Sequence, residues 1–337
     1  MKILVGISGG VDSAYAAKKL LLDGHTVEGA VLIMHEHTEL SAAREAAASV
    51  GIPLHEIDCR GDFEAIKQNF VSEYVSGRTP NPCIICNERV KFRTLYDYAM
   101  QHGFDAIATG HYARLTELDG RFALALPEDS RKEQTYMLYR LPQEILSKLV
   151  LPLCEGTKTE IREKASEQGI SAADRADSQE ICFLPNGNHT EYIEQMAGKC
   201  PEGNFVDTEG KILGRHKGII HYTVGQRKGL GISLGERAFV THIDAQNNTV
   251  TLSPTLQGKS EVDLTDVVSS GMTAPTEETE VKLDVKLRYT APLVSCIAHL
   301  YPDGRATLTL SSPRKFAPGQ SAVLYRDGVV MLGGFIS

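Results

Sequence analysis

The chain has 337 residues, 42% of them apolar, with 35 Lys and Arg against 43 Asp and Glu, seven Cys and no Trp. Its formal charge is −8 and its isoelectric point is near 5.8, so a uniformly basic nucleic-acid coat is excluded, and so is a globally disordered chain. At roughly 100–200 residues per domain, the length suits two or three domains.

The opening run MKILVGISGG is broken by Gly too soon for a signal h-region, and no later stretch reaches the ~18 uninterrupted apolar residues of a membrane helix. The expectation is a cytoplasmic protein with no membrane partner. An odd number of Cys without a secretory signal argues against a disulfide framework and leaves each thiol open to chemistry or burial.

From residue 1 to about 195, strand-like and helix-like segments alternate. Strands are predicted over Lys2 to Ile7, Val27 to Ile33, Leu54 to Asp58 and Asp105 to Thr109. Helices are predicted over Ala14 to Leu22, Ser41 to Val50, Phe63 to Tyr74, Asn87 to His102, Pro142 to Val150 and Lys158 to Gln168. Such βα units imply a Rossmann-like parallel sheet covered on both faces. After about residue 200 the pattern turns to short β-rich runs between Gly, Pro and Asn/Asp turns: Phe239 to Ile243, Thr249 to Leu252, Val281 to Leu287, Ser295 to Leu300, Ala306 to Leu310 and Ala322 to Tyr325. The expected fold class is therefore an α/β N-terminal domain over 1–196, a small central domain over 197–258 and a C-terminal β-barrel-like domain over 259–337.

Charge is distributed unevenly along these parts. Residues 1–210 hold 21 basic and 32 acidic residues, whereas 211–235 hold Lys211, Arg215, Lys217, Arg227 and Lys228 with no carboxylate. Residues 236–280 are acidic again, with two basic against eight acidic, and 281–337 carry seven basic against three acidic. Two local basic surfaces on an acidic protein suit phosphate contacts, and Arg227 and Lys228 are the foremost candidates.

The sharpest motif is Ser8-Gly9-Gly10-Val11-Asp12-Ser13, directly between the first strand and the first helix. Two glycines allow a tight turn with consecutive N–H groups exposed, the two hydroxyls add donors, and the helix N-terminus favours an anion. The segment lacks the Lys of a GxxxxGK[ST] loop, which disfavours a kinase or GTPase. Asp12 suits a Mg²⁺ or electrostatic role beside phosphates. A plain Gly-rich strand-to-helix turn is the bland alternative, and the order of all six residues weighs against it.

A second motif, Asn81-Pro82-Cys83-Ile84-Ile85-Cys86-Asn87, places two thiols three residues apart. With Asn87 read as the helix N-cap, Cys86 falls just before the helix start, and the partial positive charge there, with Arg89, Lys91 and Arg93 nearby, favours a thiolate. Cys83-x-x-Cys86 also reads as half of a zinc or iron–sulfur site, although no second pair follows at ligand spacing. Cys182, in Asp177 to Phe183, is on its own as well explained by burial. Cys59, Cys154, Cys200 and Cys296 read as packing or surface thiols, His35 and His37 as a polar loop, and Gly229-x-Gly231-x3-Gly235 has the wrong spacing for a dinucleotide fingerprint.

The first motif resembles the PP-loop of the N-type ATP pyrophosphatases. Taken with Asn81-Pro82-x3-Cys86-Asn87-x2-Val90-Lys91-Phe92, Ala108-Thr109-Gly110-His111-Tyr112, Lys132-x-Gln134-x-Tyr136, Asp177 to Phe183 and Gly225-Gln226-Arg227-Lys228-Gly229-Leu230-Gly231, it makes the whole chain resemble the tRNA-specific 2-thiouridylases.

That resemblance implies an adenine nucleotide hydrolase-like catalytic domain and a tRNA uridine 2-sulfurtransferase using ATP and Mg²⁺. The C2 oxygen of wobble uridine 34 in tRNAs for Lys, Glu and Gln is adenylated, and sulfur then displaces AMP. It implies Cys182 as the persulfide carrier and Cys86 as the partner nucleophile, the two ending as a disulfide, with Asp12 assisting at the nucleotide. It implies nucleotide contacts from Gly6, Ile7, Ser8, Gly9, Gly10, Val11, Asp12, Ser13, Leu32 and Gly110. Asn81, Pro82 and Cys83 are expected to face the target base, and His111, Lys132, Glu133, Gln134, Arg288, Tyr289 and Gln320 to contact tRNA. The partners implied are tRNA, a persulfide-donating protein such as a sulfur-relay protein or a cysteine desulfurase, and a thiol reductant. Many relatives have Asp where this chain has Cys83, so proton handling there differs. Two other readings remain at this point: an amide-forming PP-loop ligase, and a nucleotide-binding redox or metal sensor built on Cys83 and Cys86.

Overall fold

The computed structural model describes residues 1–129, 131–170, 181–184, 187–233, 235 and 237–337. Its N-terminal part is built on a parallel sheet of β1 (Lys2–Gly6), β2 (Thr26–Ile33), β3 (Leu54–Asp58), β4 (Ala106–Ala108) and β7 (Leu149–Val150), in the order β3-β2-β1-β4-β7. Because strand side chains alternate, Ile3 and Val5 pack on one face with Ala14, Ala17 and Leu20 of α1 (Val11–Leu22) and Ala43 and Ala47 of α2 (Leu40–Val50). Leu4 points the other way, onto Leu95 and Ala99 of α5 (Phe92–Gln101). A central strand buried on both faces reads as a continuous apolar run, as Ile3, Leu4 and Val5 do.

The neighbours of β1 are β2 on one side and β4 on the other. The chain therefore leaves β1 and β4 at a topological switch point, where a crevice opens beyond the strands' C-terminal ends. The segment Ser8 to Ser13 follows β1, and Gly110 follows β4.

Two features depart from the expected pattern. Pro142 to Val150, predicted helical, folds as the short helix α7 (Gln143–Leu146) and the edge strand β7, which pairs with β4. The sheet edge provides a hydrogen-bonding partner that no local pattern announces. A hairpin of β5 (Arg114–Leu118) and β6 (Arg121–Ala125) also lies within the first 196 residues, yet β6 pairs with the barrel through Ala125 and Val329.

Phe63, Ile66, Phe70 and Tyr74 of α3 (Arg60–Val75) share one apolar cluster with Phe183, with Ile193 of α9 (His189–Ala197), and with Phe205, Ile219 and Tyr222 from the central part. That part forms a four-stranded sheet, β10 (Phe239–Asp244), β11 (Thr249–Ser253), β8 (Gly203–Val206) and β9 (Ile212–His216). At the C-terminus β12 (Lys259–Ser269), β13 (Thr279–Lys286), β14 (Val294–Leu300), β15 (Ala306–Arg314), β16 (Ser321–Arg326) and β17 (Val329–Ile336) follow the order β12-β15-β14-β13-β16-β17, and β12 pairs back onto β17. The sheet closes into a barrel, which removes exposed edges, and Val262, Leu264, Val285, Ala298, Leu308 and Leu324 fill its core. Among the described residues no helix is long and apolar enough to cross a membrane.

Candidate active site

The turn after β1 is shaped by its small residues. Gly9 has φ +81°, and a Cβ there would lie 2.7 Å from that of Ala42 in α2, so a side chain is excluded by conformation and by space. The Ser13 hydroxyl accepts from the Ser8 N–H at 3.1 Å and donates to the Gly10 carbonyl at 3.0 Å, bracing the loop from within. Gly110 lies against it: a Cβ on Gly110 would come 2.6 Å from the Asp12 carbonyl carbon. Expected nucleotide residues from two strands thus meet at the switch point. Leu32, near the end of β2, is half-buried there against the α3 cluster.

Asp12 has two partners the sequence did not disclose. The Tyr112 hydroxyl donates to Oδ1 at 2.7 Å, and Lys158 Nζ donates to Oδ2 at 2.7 Å. Lys158 opens α8 (Lys158–Glu167), where Thr157 and Glu160 form a reciprocal capping box. The Thr-x-x-Glu spacing was the only local signal for this position. Lys158 also lines a cavity of about 500 Å³ with Arg131, Lys132 and Arg162, which brings the expected tRNA contact Lys132 close to the phosphate loop.

The thiol helix differs from expectation in one respect. Its N-cap is Asn81, whose side chain accepts from the Cys83 N–H, and Pro82 takes the first helical position, where a missing N–H costs nothing. Helix α4 (Pro82–Cys86) runs into a π-helical turn over Asn87–Lys91 and then into α5. Cys86 is therefore inside a helix, not before one, and the helix-terminus argument for a thiolate does not apply. It is 4% exposed, and burial pushes its pKa up to about 12, with Lys91 pulling in the opposite direction. Arg89 is exposed and Arg93 pairs with Glu144, so of the three cations Lys91 is the one coupled to the thiols.

Cys182, distant in sequence, joins this group. Its thiol interacts electrostatically with Cys83, Cys86 and Lys91, and burial raises its pKa although its surface is open to solvent. For Lys91 burial acts downward, but the three thiols outweigh it and the net direction is up. All seven cysteines are free. Asp177 to Glu180 lie outside the described residues. Among the described residues no group of three or more His, Cys, Asp or Glu is placed to hold a metal ion.

His111 links the two halves. It follows Gly110, its Nδ1 is 2.9 Å from Thr109 Oγ1, and its ring centroid is 5.4 Å from that of Phe92, the first residue of α5. Burial, with Lys91 nearby, depresses its pKa to about 3, so the ring is neutral. One run of contacts thus leads from the phosphate loop through Gly110 and His111 to the thiol helix.

The remaining expected tRNA residues fall into two groups. Arg227, Lys228 and Arg288 are exposed, Tyr289 is half-buried, and Arg227 borders a surface cavity of about 960 Å³ with Gly229, Leu230 and Arg237. Gln134 holds the Tyr112 backbone, accepting from its N–H at 2.8 Å. Gln320 donates to the Thr79 carbonyl at 2.7 Å. Glu133 is 4% exposed: its carboxylate accepts from the Thr135 N–H and hydroxyl and is ion-paired with Lys286 of the barrel. In this conformation it is a buried joint of α6 (Thr135–Leu138) with the barrel and presents no surface to a ligand.

Family models match three successive stretches: a tRNA methyl transferase HUP domain over residues 1–186, a tRNA methyl transferase PRC-barrel domain over 190–254 and an aminomethyltransferase beta-barrel domain over 262–336. Among solved structures, a 4-thiouridine synthetase–RNA complex with bound ATP aligns at 21% identity and TM-score 0.37, covering 54% of this chain and 44% of that one. Curated relatives named tRNA-specific 2-thiouridylase MnmA align along the full length. The Lachnoclostridium phytofermentans protein is 43% identical, covering 99% of each chain, and the Clostridium perfringens protein is 41% identical, covering 99% of this chain and 98% of the relative. With identity of 41% or more over essentially the full length of both chains, the chain belongs to the tRNA-specific 2-thiouridylase family.

Proposed function

We propose that the protein is an ATP-dependent tRNA uridine 2-sulfurtransferase acting on the wobble uridine of tRNAs for Lys, Glu and Gln. The observation that carries this reading is the run of contacts joining the Ser8 to Ser13 loop to the helix of Cys83 and Cys86, where Cys182 and Lys91 are coupled electrostatically to both thiols. A phosphate loop alone would serve any ATP pyrophosphatase. Methyl transfer leaves both the loop and the thiols without work.

The C2 oxygen of uridine is a poor leaving group, so it is first made a good one. It attacks the α-phosphorus of ATP and pyrophosphate departs, the loop N–H groups and the α1 N-terminus stabilising the charge that builds up. Asp12, at the mouth of a loop of N–H donors, would hold Mg²⁺ once Lys158 turns from its carboxylate to the phosphates, since Mg²⁺ takes one or two carboxylates and completes its shell with phosphate oxygens and water. When bound, the ion supplies neutralising charge to the leaving pyrophosphate.

Cys182 receives sulfur as a persulfide from a donor protein, and its open surface suits that delivery. The Cys86 thiolate attacks the inner sulfur of the persulfide and forms the Cys86–Cys182 disulfide while hydrosulfide is expelled. The hydrosulfide adds at C2 and AMP leaves with the original oxygen. A thiol reductant supplies the two electrons that reopen the disulfide. Lys91 stabilises whichever thiolate is transiently present, opposing the burial that raises Cys86 and Cys182.

The test combines purified protein with ATP, Mg²⁺, a protein persulfide source and unmodified tRNA, followed by mass spectrometry of the nucleosides. The expected result is 2-thiouridine with AMP, lost in Cys86→Ser and Cys182→Ser. AMP release without 2-thiouridine, undiminished in both variants, would instead favour an amide-forming ligase.

A further inference from the structure

The segment bearing Cys83 and Cys86 is held from both sides by the C-terminal barrel. Upstream, the Thr79 N–H donates to the Pro318 carbonyl at 2.8 Å, and Gln320 Nε2 donates to the Thr79 carbonyl at 2.7 Å. Downstream, Arg140 Nε donates to Glu88 at 2.7 Å, while its two terminal nitrogens donate to the Asp266 carbonyl and carboxylate, each at 3.0 Å. The Arg140 side chain is 4% exposed. Asp266 has φ +50° and lies at a register shift in the pairing of β12 with β17, so the barrel strand is bent where it meets Arg140.

Glu88 lies in the π-helical turn. There the Phe92 N–H bonds the Asn87 carbonyl five residues back, and the Asn87 amide donates to the Met137 carbonyl at 3.0 Å. A π turn is less favourable than the α-helix it interrupts, and it persists where outside contacts hold it. Its extra residue sets the rotation of everything before it relative to α5. Relaxation to a plain α-helix would turn Cys83 and Cys86 about the helix axis by roughly one residue's rotation, ~100°.

We propose that Arg140 and Asp266 are positioning residues: by anchoring Glu88, the barrel holds the π turn that aims Cys86 at Cys182. This rests on the thiolation reading above. Docking of the barrel then governs sulfur transfer, which needs Cys86 aimed at Cys182, far more strongly than adenylation at the phosphate loop, which meets this segment only where Asn81, Pro82 and Cys83 flank the base. A substrate that grips the barrel acts on the thiol helix through the same anchors. An ordinary interdomain ion pair, by contrast, would affect both half-reactions through stability alone.

The two half-reactions are measured separately on the full chain, as tRNA-dependent pyrophosphate release and as single-turnover 2-thiouridine formation from persulfide-loaded protein. The variants are Asp266→Gly, which tolerates φ +50° without the carboxylate, and Glu88→Gln, which keeps the side chain's size. Expected are pyrophosphate release within about twofold of wild type and 2-thiouridine formation slowed by about tenfold or more, since a misplacement near 1 Å costs up to ~100-fold. A parallel fall of both steps, or no change in either, overturns the proposal. Should Asp266→Gly not fold, Glu88→Gln carries the same comparison. Wild-type protein that releases pyrophosphate yet forms no 2-thiouridine would count against the thiolation reading instead.

Discussion

The ammonium of Lys158 meets the carboxylate of Asp12 at 2.7 Å, across a separation of 146 residues, at the mouth of the phosphate loop. The two side chains are 13% and 27% exposed, so solvent screens the pair less than it would a surface ion pair. A double-mutant cycle of Asp12→Asn and Lys158→Gln in urea unfolding is expected to show a coupling of about 1 kcal/mol. Strict additivity would mean that the pair is not formed in solution. Asp12→Asn by itself should slow tRNA-dependent pyrophosphate release by about 100-fold, read as pyrophosphate produced per minute.

Thiol reactivity should follow burial. With Cys86 held up to about 12, its thiolate population grows about tenfold for each pH unit across the neutral and mildly alkaline range. Alkylation of Cys86 by iodoacetamide, followed by peptide mass spectrometry, is expected to climb without a plateau up to pH 10. Lys91→Gln should lower it at every pH. A plateau below pH 8 would show a thiolate that burial does not permit.

Cys86 and His111 set opposite pH limits on stability. Folded Cys86 holds its proton more tightly than the unfolded thiol, so its contribution is complete below the ordinary value of 9.0 and is lost as pH rises from there toward 12. Folded His111 resists protonation, so its contribution is complete above 6.5 and is lost as pH falls toward 3. Thermal midpoints of His111→Asn measured from pH 4 to 8 should depend less on pH than those of the wild type. Parallel curves would contradict this.

Glu133 and Lys286 form a buried pair between α6 and the barrel. Removing one partner leaves the other charge without compensation, and Glu133→Ala is expected to destabilise by about 3 kcal/mol in denaturant unfolding. Arg44→Ala, at the exposed pair with Glu56, provides the surface comparison and should change stability far less. Equal losses would place Glu133 on the surface.

Arg227 and Lys228 are exposed in a segment without carboxylates, where phosphate contacts would be purely electrostatic. Reversing both charges is expected to weaken tRNA binding and to reduce the slope of log K against log salt by about 2. Filter binding at several salt concentrations reads both. An unchanged slope would remove this loop from the RNA surface.

The amino-acid order specifies what rests on neighbours in the chain. The loop Ser8 to Ser13 was legible because strand, glycines and helix start are contiguous, and the barrel strands because period-2 burial is a local pattern. The Cys83 and Cys86 spacing was equally plain, although the helix began at Pro82, where the ring suits the first turn, and not at Asn87. Tertiary structure alone decided what depends on crossover topology and burial. It brought Lys158 and Tyr112 to Asp12, placed Cys182 within electrostatic reach of the thiol helix, enlisted β6 in the barrel sheet, and buried Glu133 and Cys86. Charges adjacent in sequence suggested a thiolate at Cys86. Desolvation by residues remote in sequence outweighs them, because the cost of burying a charge is set by everything packed around it.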